Sequence, residues 1–232
     1  MSKLKLGLGG VLYQIVKAVR YPKVFIIKKR LGHCGKDVVI SMPCRMSLPQ
    51  NVYMGDYTLI QPNCTFVLNN GEVHIGKWTA ISHNTTIITT NHVPTVGINH
   101  RMLGRYHIND KDLDIRIGED CWVGSSVTLM SGASMGRGSI AAAGALVNKP
   151  VPPYAVVAGV PAKIIASVFS KEQIIKHEEC LYPESKRMTT EQIDELFKNF
   201  FEGKRHIGID SISDKDRKSA IDHSYMQEKI PE

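Results

Sequence analysis

Several features that define large protein classes are missing from this 232-residue sequence. No apolar run approaches the roughly 20 residues that a membrane-spanning helix needs, and the N-terminus lacks a signal-peptide cleavage pattern, so we expect a cytoplasmic protein. The five cysteines are odd in number and include no C-x-x-C pair, which argues against a disulfide framework or a zinc site. The basic N-terminal run contains few aromatic residues that could stack on bases, and the rest of the chain is almost neutral in charge, so we expect no nucleic-acid partner.

The composition is that of an ordinary globular chain, but the charge is unevenly placed. Apolar residues make up 43% and charged residues 22% of the sequence, close to average usage. The net charge of +7 comes from residues 1–36, which hold nine Lys or Arg and no acid. Residues 4–31 mix aliphatic and basic residues, with helical spacing in the first half. Such a helix can cover the open end of a solenoid, and residues 1–31 can also contact an anionic membrane at its inner face.

A six-residue period runs through the second half of the chain. An aliphatic or small apolar residue recurs at every sixth position, and a small residue usually follows it four places later. The recurring positions are Ile117, Val123, Leu129, Met135, Ala141 and Val147, and the followers are Cys121, Val127, Ala133, Ser139 and Ala145. This period fits neither a strand nor a helix. It is typical of a parallel β-helix, in which three short strands close a triangular coil of about 18 residues.

The same period extends upstream with three irregularities. It slips by eight residues from Met46 to Met54 and by nine from Phe66 to Ile75, which predicts small bulges at the corners of the coils. It is lost over residues 93–114, which contain two histidines and three aspartates. Solenoids place insertions in loops on one face, often the face that binds. We therefore predict an extended functional loop there; a solvated loop without function is the alternative.

The chain after the repeats has a different organisation. Prolines over residues 150–161 are expected to end the coils. Ser170 and Thr189 are each followed three residues later by glutamine, as in the capping boxes that open helices. We predict a mainly β fold in three parts: a basic amphipathic helical segment over 1–34, a β-helix over 35–167, and a helical extension with a polar tail over 168–232.

These residues carry a resemblance to a known family. The matching segments are Ile117-Gly118-Glu119-Asp120-Cys121-Trp122-Val123-Gly124, then Ala143-Gly144 and Lys149, then Ala158-Gly159-Val160-Pro161-Ala162-Lys163. Their order resembles that of the hexapeptide-repeat acyltransferases, particularly the O-acetyltransferases of sugars, capsules and lipopolysaccharide. The resemblance implies a left-handed parallel β-helix and a homotrimer with active sites between subunits. It also implies acetyl-CoA as donor, a sugar or glycan acceptor, and no metal.

The resemblance also implies site residues. The family's catalytic histidine lies just before the extended loop, which here is His92, and imidazole suits a base that takes a hydroxyl proton near neutral pH. The positions that match acetyl-CoA contacts are Trp122, Ser125, Ala143, Asn148, Lys149 and Lys163. The residues that we expect to contact the acceptor are Asn70, His83, Asn84, His100 and His107. Pro62 and Asn70 stand where galactoside enzymes place polar residues that hold the sugar, so we do not expect a free galactoside or maltose as acceptor. The longer loop after His92 and the basic N-terminus favour a larger, lipid-linked glycan.

Two other functions remain open at this point. An N-acyltransferase acting on an amino sugar would use the same coils and the same donor cleft. A protein of a different class, either a non-catalytic coil protein or a zinc protein resembling γ-carbonic anhydrase, is a more distant alternative. Zinc would need three histidines to converge across an interface, and His83, His92 and His107 are the candidates.

Overall fold

The computed structural model describes residues 22–213 and residue 216. Short strands dominate this part of the chain, and they are β1 (His33–Cys34), β2 (Val39–Ile40), β3 (Cys44–Met46), β4 (Val52–Met54), β5 (Leu59–Ile60), β6 (Cys64–Val67), β7 (Val73–Ile75), β8 (Ala80–Ile81), β9 (Thr86–Ile88), β10 (Ile115–Ile117), β11 (Trp122–Val123), β12 (Thr128–Leu129), β13 (Ser134–Met135), β14 (Ile140–Ala141), β15 (Leu146–Val147), β16 (Ala155–Ala158) and β17 (Lys163–Ser167). The α-helices are α1 (described over residues 22–30), α2 (His100–Tyr106), α3 (Lys171–Leu181) and α4 (Thr190–Leu196). Short 3₁₀-helices lie at Pro49–Asn51 and Glu184–Lys186, and a π-helical turn at Phe197–Phe201 follows α4.

The strands form three sheets that are the faces of a triangular solenoid. The first sheet has the order β1-β4-β7-β10-β13, the second β17-β16-β14-β11-β8-β5-β2, and the third β15-β12-β9-β6-β3. Consecutive strands from β1 to β15 lie in different sheets, and each pairs in parallel with the strand one coil away. This topology confirms the parallel β-helix that the six-residue period predicts.

The strand register locates each irregularity in the period. Arg116 pairs with Ser134, 18 residues later, which is one regular coil. The spacing is 20 residues between His33 and Tyr53 and 21 between Tyr53 and His74. It rises to 42 between His74 and Arg116, where the loop is inserted. Both predicted slips and the predicted loop are therefore confirmed.

The interior of the solenoid is filled by the recurring aliphatic residues. Ile81, Ile87 and Val123 are fully buried, since each points inward from its strand and stacks on the next coil. Cys64 and Cys121 occupy corners and are also buried. Burial raises the pKa of the Cys121 thiol to about 11, so it remains protonated and packs as a small apolar group.

Helix α1 covers the open end of the first coil. Val24, Ile27 and Leu31 pack against the solenoid core, which supports the predicted capping role for this half of the segment. The first half, residues 1–21, lies outside the described residues. None of the described helices has the length and hydrophobicity that a membrane crossing requires.

At the C-terminal end of the solenoid the coils continue past the prolines that were expected to end them. Val151 bridges to Met135, and β16 pairs in parallel with β14, so stacking continues into a sixth coil. Antiparallel pairing with β17 then closes the second sheet. The stack continues because proline removes only one backbone donor, and the free N–H of Val151 still donates to Ser134.

The helices that follow begin where the sequence predicts. Ser170 opens α3 and Thr189 opens α4, and each forms a complete capping box with the glutamine three residues later. Leu196 and Phe201, at and just beyond the end of α4, join the core of the solenoid. The helical extension is therefore packed onto the coils rather than separate from them.

Candidate active site

His92 lies where the chain leaves the third sheet. After β9 the backbone turns outward, and the loop returns beside its own start, with the Lys111 N–H donating to the Asn91 carbonyl at 2.9 Å. Asp112 fixes this base, since its carboxylate accepts from the N–H of Asn91 at 3.3 Å and from the N–H of Asn70 at 3.0 Å. The loop thus begins and ends at one edge of the solenoid.

The Asp112 carboxylate is held in its charged form. Burial by itself raises the pKa of Asp112, but the backbone N–H groups of Asn70 and Asn91 donate to the carboxylate, and the pKa lies below its ordinary value. A carboxylate that accepts several hydrogen bonds is stabilised in its ionised state. The loop base is therefore held by a charged acceptor at neutral pH.

A short helix within the loop, α2, lies over His92. The Asn99 side chain caps its start by accepting from the Met102 N–H, and Leu103 is its one buried residue. His107 ends the helix in the left-handed conformation, with φ of 51°. The sequence did not predict α2, because seven residues with a single buried side chain give no periodic signal.

Two imidazoles share one carboxylate at the centre of this loop. His92 Nδ1 lies 2.7 Å from Asp110 Oδ1, and His107 Nδ1 lies 2.7 Å from Asp110 Oδ2. Their ring centroids are 5.8 Å apart. The Asp110 side chain is only 5% exposed, whereas that of His92 is 41% exposed. A nearly buried carboxylate therefore holds an accessible imidazole.

The charge of Asp110 fixes the tautomer of both histidines. The hydrogen bond from His92, together with the one from His107, holds the pKa of Asp110 below its ordinary value. An ionised carboxylate only accepts hydrogen bonds, so we assign the Nδ1–H donor to each ring. In the neutral imidazole the lone pair then lies on Nε2. His92 therefore presents Nε2 as a proton acceptor.

A second group of predicted residues lies at the other edge of the third sheet. The Ser126 N–H donates to the His83 carbonyl at 2.9 Å, and the Gly144 N–H donates to the Ser125 carbonyl at 2.9 Å. These corners of three successive coils are stacked. Trp122 is 57% exposed, and its indole N–H donates to the Ser82 hydroxyl at 3.3 Å.

The predicted site residues therefore divide between two edges of one face. The loop edge, between the third and first sheets, carries Asn70, His92, His107, Asn148 and Lys149, with His100 above it on α2. The distal edge, between the second and third sheets, carries His83, Asn84, Trp122, Ser125, Ala143 and Lys163. Six residues span the face, at most about 20 Å. Within one chain the structure brings each group together but does not join the two groups.

The lysines predicted to contact the donor are available for a ligand. Lys149 and Lys163 are both exposed, and neither forms an ion pair with any residue that the structure describes. Ala143 is also exposed, and a Cβ placed on the neighbouring Gly144 would meet nothing within 4 Å. The surface around Ala143 is thus open to an elongated ligand.

The histidines proposed for zinc do not converge within the described chain. His92 and His107 do lie together, with Asp110 as third potential ligand and all ligand atoms within 4.8 Å of one another. His83, the third candidate, lies at the distal edge instead. Hydrogen bonding between Asp110 and the two imidazoles already accounts for the geometry of this cluster.

Asp110 is the site residue that sequence reasoning missed. The available signal was the pair of histidines and three aspartates in residues 93–114. That composition marks the loop but does not identify which carboxylate meets His92. Only the fold of α2 brings residues 92, 107 and 110 to one point.

Comparison with known proteins finds acetyltransferases among the relatives of this chain. No family model matches the sequence. A galactoside O-acetyltransferase from Escherichia coli is 28% identical over 148 residues, covering 64% of this chain and 70% of the relative. The crystal structure of a hexapeptide-repeat-containing acetyltransferase from Vibrio cholerae matches with a TM-score of 0.57 and 28% identity, covering 66% of this chain and 81% of its own. That enzyme has also been solved in complex with acetyl-CoA.

A third solved structure shows only the fold. An N-acyltransferase from Bacillus cereus, in complex with dTDP and 3-hydroxybutyryl-CoA, matches with a TM-score of 0.50 and 15% identity, covering 68% of this chain and 94% of its own. The solenoid architecture is therefore shared beyond the O-acetyltransferases.

Proposed function

We propose that this chain, a homologue of the hexapeptide-repeat acetyltransferases, transfers the acetyl group of acetyl-CoA to a hydroxyl group of a sugar or surface glycan. The observation that carries the proposal is the arrangement of His92, whose Nδ1 lies 2.7 Å from the Asp110 carboxylate. This contact leaves Nε2 as the free proton acceptor beneath an extended loop. A base in this position is what a neutral hydroxyl nucleophile requires.

In the proposed reaction His92 first accepts a proton from the acceptor hydroxyl and then donates it to the leaving thiolate. Its Nε2 takes the proton of the acceptor hydroxyl as that oxygen attacks the acetyl carbon, and the imidazolium then protonates the departing thiolate. Asp110 stabilises the positive charge that the ring carries between the two steps. No acyl-enzyme is needed, because holding donor and acceptor together supplies much of the rate.

The proposed donor site uses exposed groups of the distal edge and the last coils. Acetyl-CoA supplies the acetyl group as an activated thioester. Lys149 and Lys163, which have no ion-pair partner among the described residues, would meet its phosphates as point charges. Ala143 leaves space for the pantetheine arm against the backbone. The Ser125 N–H is the proposed donor to the negative charge that develops on the carbonyl oxygen.

We propose that the complete site forms between two subunits of a homotrimer. His92 and Ser125 lie on opposite edges of one face, up to about 20 Å apart. One ligand cannot have its thioester at both edges of the same chain. If the distal edge of one subunit packs beside the loop edge of the next, the two groups meet. Sedimentation of the full chain tests the trimer directly.

The acceptor is proposed to carry its reactive hydroxyl on a sugar. The galactoside acetyltransferase among the relatives supports this class, and the likeness to the N-acyltransferase, at 15% identity, concerns the fold alone. The comparative assay is turnover of acetyl-CoA with matched hydroxy and amino sugars. Faster transfer to the amino sugar would replace the O-acetyltransferase proposal with the N-acyltransferase alternative.

The role of His92 is tested by His92→Ala with a matched control. General-base removal is expected to lower kcat about 10²- to 10⁴-fold, with the solenoid still folded because His92 is not part of its buried core. The control is His33→Ala, since His33 is an exposed histidine of the first sheet. Near-normal turnover by His92→Ala would contradict the proposal.

A further inference from the structure

Gly104 stands inside α2, where neither the backbone nor tertiary packing requires glycine. Its φ is not among the left-handed values found in the described chain, so any L residue can adopt its conformation. Glycine is the least favourable residue after proline in a helix interior. A helix of seven residues would gain from alanine at this position, so a different constraint is expected.

The neighbours of Gly104 indicate that constraint. Outside its own helix backbone and its two chain neighbours, a Cβ added to Gly104 would meet two heavy atoms within 4 Å, both on the His92 ring: Nε2 at 3.7 Å and Cδ2 at 3.9 Å. These are ordinary contact distances, so alanine would fit in the free protein. Gly124 in the solenoid differs, because its Cβ would lie 2.6 Å from the Ala143 nitrogen. Gly124 is required by packing, whereas Gly104 only leaves a space.

That space lies against the reactive edge of the proposed base. An acceptor hydroxyl must come within about 2.6–3.2 Å of Nε2 to give up its proton. The carbon that bears the hydroxyl, and the substituents on that carbon, then need room around the Nε2–Cδ2 edge. A methyl group in van der Waals contact with that edge would occupy part of this room.

We propose that Gly104 is a specificity-determining residue that admits a crowded hydroxyl, such as a secondary ring hydroxyl, to Nε2 of His92. This inference rests on the proposed acetyl transfer and on the position of α2. A side chain at residue 104 would still admit a primary hydroxyl on a thin chain, because such a group approaches Nε2 with fewer atoms beside it. The absence of a Cβ at residue 104 therefore determines how bulky an acceptor can be, and it does not change the reaction.

Activity assays with three variants test the proposal. Gly104→Ala and Gly104→Leu add increasing bulk, and Arg101→Ala is the control, since Arg101 is exposed on the same helix. For secondary hydroxyl acceptors we expect kcat/KM to fall about tenfold in Gly104→Ala and more than about a hundredfold in Gly104→Leu. For primary hydroxyl acceptors, and for the KM of acetyl-CoA, we expect less than about a twofold change.

A chemical probe separates this inference from the proposed function. Diethyl pyrocarbonate modifies accessible imidazole nitrogens, and the rate at His92, mapped by mass spectrometry, needs no acceptor. We expect Gly104→Leu to slow modification of His92 and to leave His33 unchanged. If the wild type lacks transferase activity but the rates change as expected, the proposed function fails and the steric relationship stands. Equal losses for all acceptors, or an unchanged rate at His92, would overturn the assignment of Gly104.

Discussion

Asp110 accepts a 2.7 Å hydrogen bond from Nδ1 of His92 while its other oxygen lies 2.7 Å from Nδ1 of His107. One nearly buried carboxylate thus sets the orientation of two partly exposed rings. For His92 the consequence is chemical, because the fixed tautomer places the lone pair on Nε2. For His107 the consequence is structural, because its ring binds the second carboxylate oxygen and so fixes the orientation of Asp110.

Replacing Asp110 with asparagine is expected to lower kcat more than it changes the KM of acetyl-CoA. An amide offers one acceptor oxygen and one NH2 donor where the carboxylate offers two acceptors. At least one imidazole must then lose its hydrogen bond or change its tautomer, so the His92 tautomer is no longer fixed. Loss of a comparable carboxylate behind a catalytic histidine costs up to about 10⁴-fold, and outer-shell partners cost about 10- to 100-fold. Steady-state kinetics of Asp110→Asn should fall within that range.

The pH dependence of proteolysis in the loop tests separately whether Asp110 stabilises residues 93–114. The pKa of Asp110 lies below its ordinary value of 3.8, so its contribution to stability is complete above that value. The contribution is lost as the pH falls through the lower pKa of the folded state. Pepsin should therefore spare residues 93–114 of the wild type at pH 5 and cut them at lower pH. In Asp110→Asn we expect pepsin to cut the loop at pH 5 as well as at lower pH. If the variant resists pepsin at pH 5 as well as the wild type does, Asp110 does not stabilise the loop.

The sequence predicts the solenoid well because its packing is periodic. Ile87 and Val123 occupy the same phase, and a residue in that phase must point into the core of any coil. The loop has no such rule, since its shape depends on contacts between residues far from one another in the period. The contact of Asp110 with His92 and the space at Gly104 depend on the path of α2. His92 itself is predicted only through the family resemblance.

The helical extension is fastened to the solenoid by a buried ion pair, which gives a stability prediction. Glu178 on α3 is 1% exposed, and its carboxylate accepts from Arg137 at 2.8 Å and from the Tyr154 hydroxyl at 2.6 Å. The Met188 N–H also donates to it at 3.0 Å, so Glu178→Ala leaves three donors without this acceptor. Breaking one partner of a buried pair costs about 3–5 kcal/mol, or a decrease in Tm of about 10 °C for a chain of this length.

Two further variants make the Glu178 experiment specific. Glu179→Ala removes the same charge from an exposed position on α3, and we expect its Tm to change by less than about 2 °C. Glu178→Gln keeps the shape and one acceptor, so its Tm should lie between those of the wild type and Glu178→Ala. Thermal unfolding followed by circular dichroism measures all three. Equal midpoints for Glu178→Ala and Glu179→Ala would show that the pair contributes no net stability.

The outer face of α1 tests the predicted membrane contact. Phe25 and Ile26 are 56% and 54% exposed, Lys29 lies 4.8 Å from the centre of the Phe25 ring, and Arg30 is exposed beside them. Apolar and basic side chains on one helix face favour an anionic bilayer surface. The inner face caps the core, so deletion of α1 would disturb folding and binding together, and point variants are needed.

We expect the full chain to float with vesicles that contain phosphatidylserine and not with vesicles of phosphatidylcholine alone. The double variant Phe25→Ser with Ile26→Ser should lose most of this binding, and Lys29→Glu should weaken it in a salt-dependent way, since each basic residue near such a surface contributes about 1 kcal/mol. Ile209→Ser is the matched control, because Ile209 is 78% exposed at a site remote in sequence from α1. Equal binding by the double variant and the control would assign the exposed face of α1 to another role. If the wild type binds equally well to neutral vesicles, the basic residues of α1 do not contribute to membrane binding.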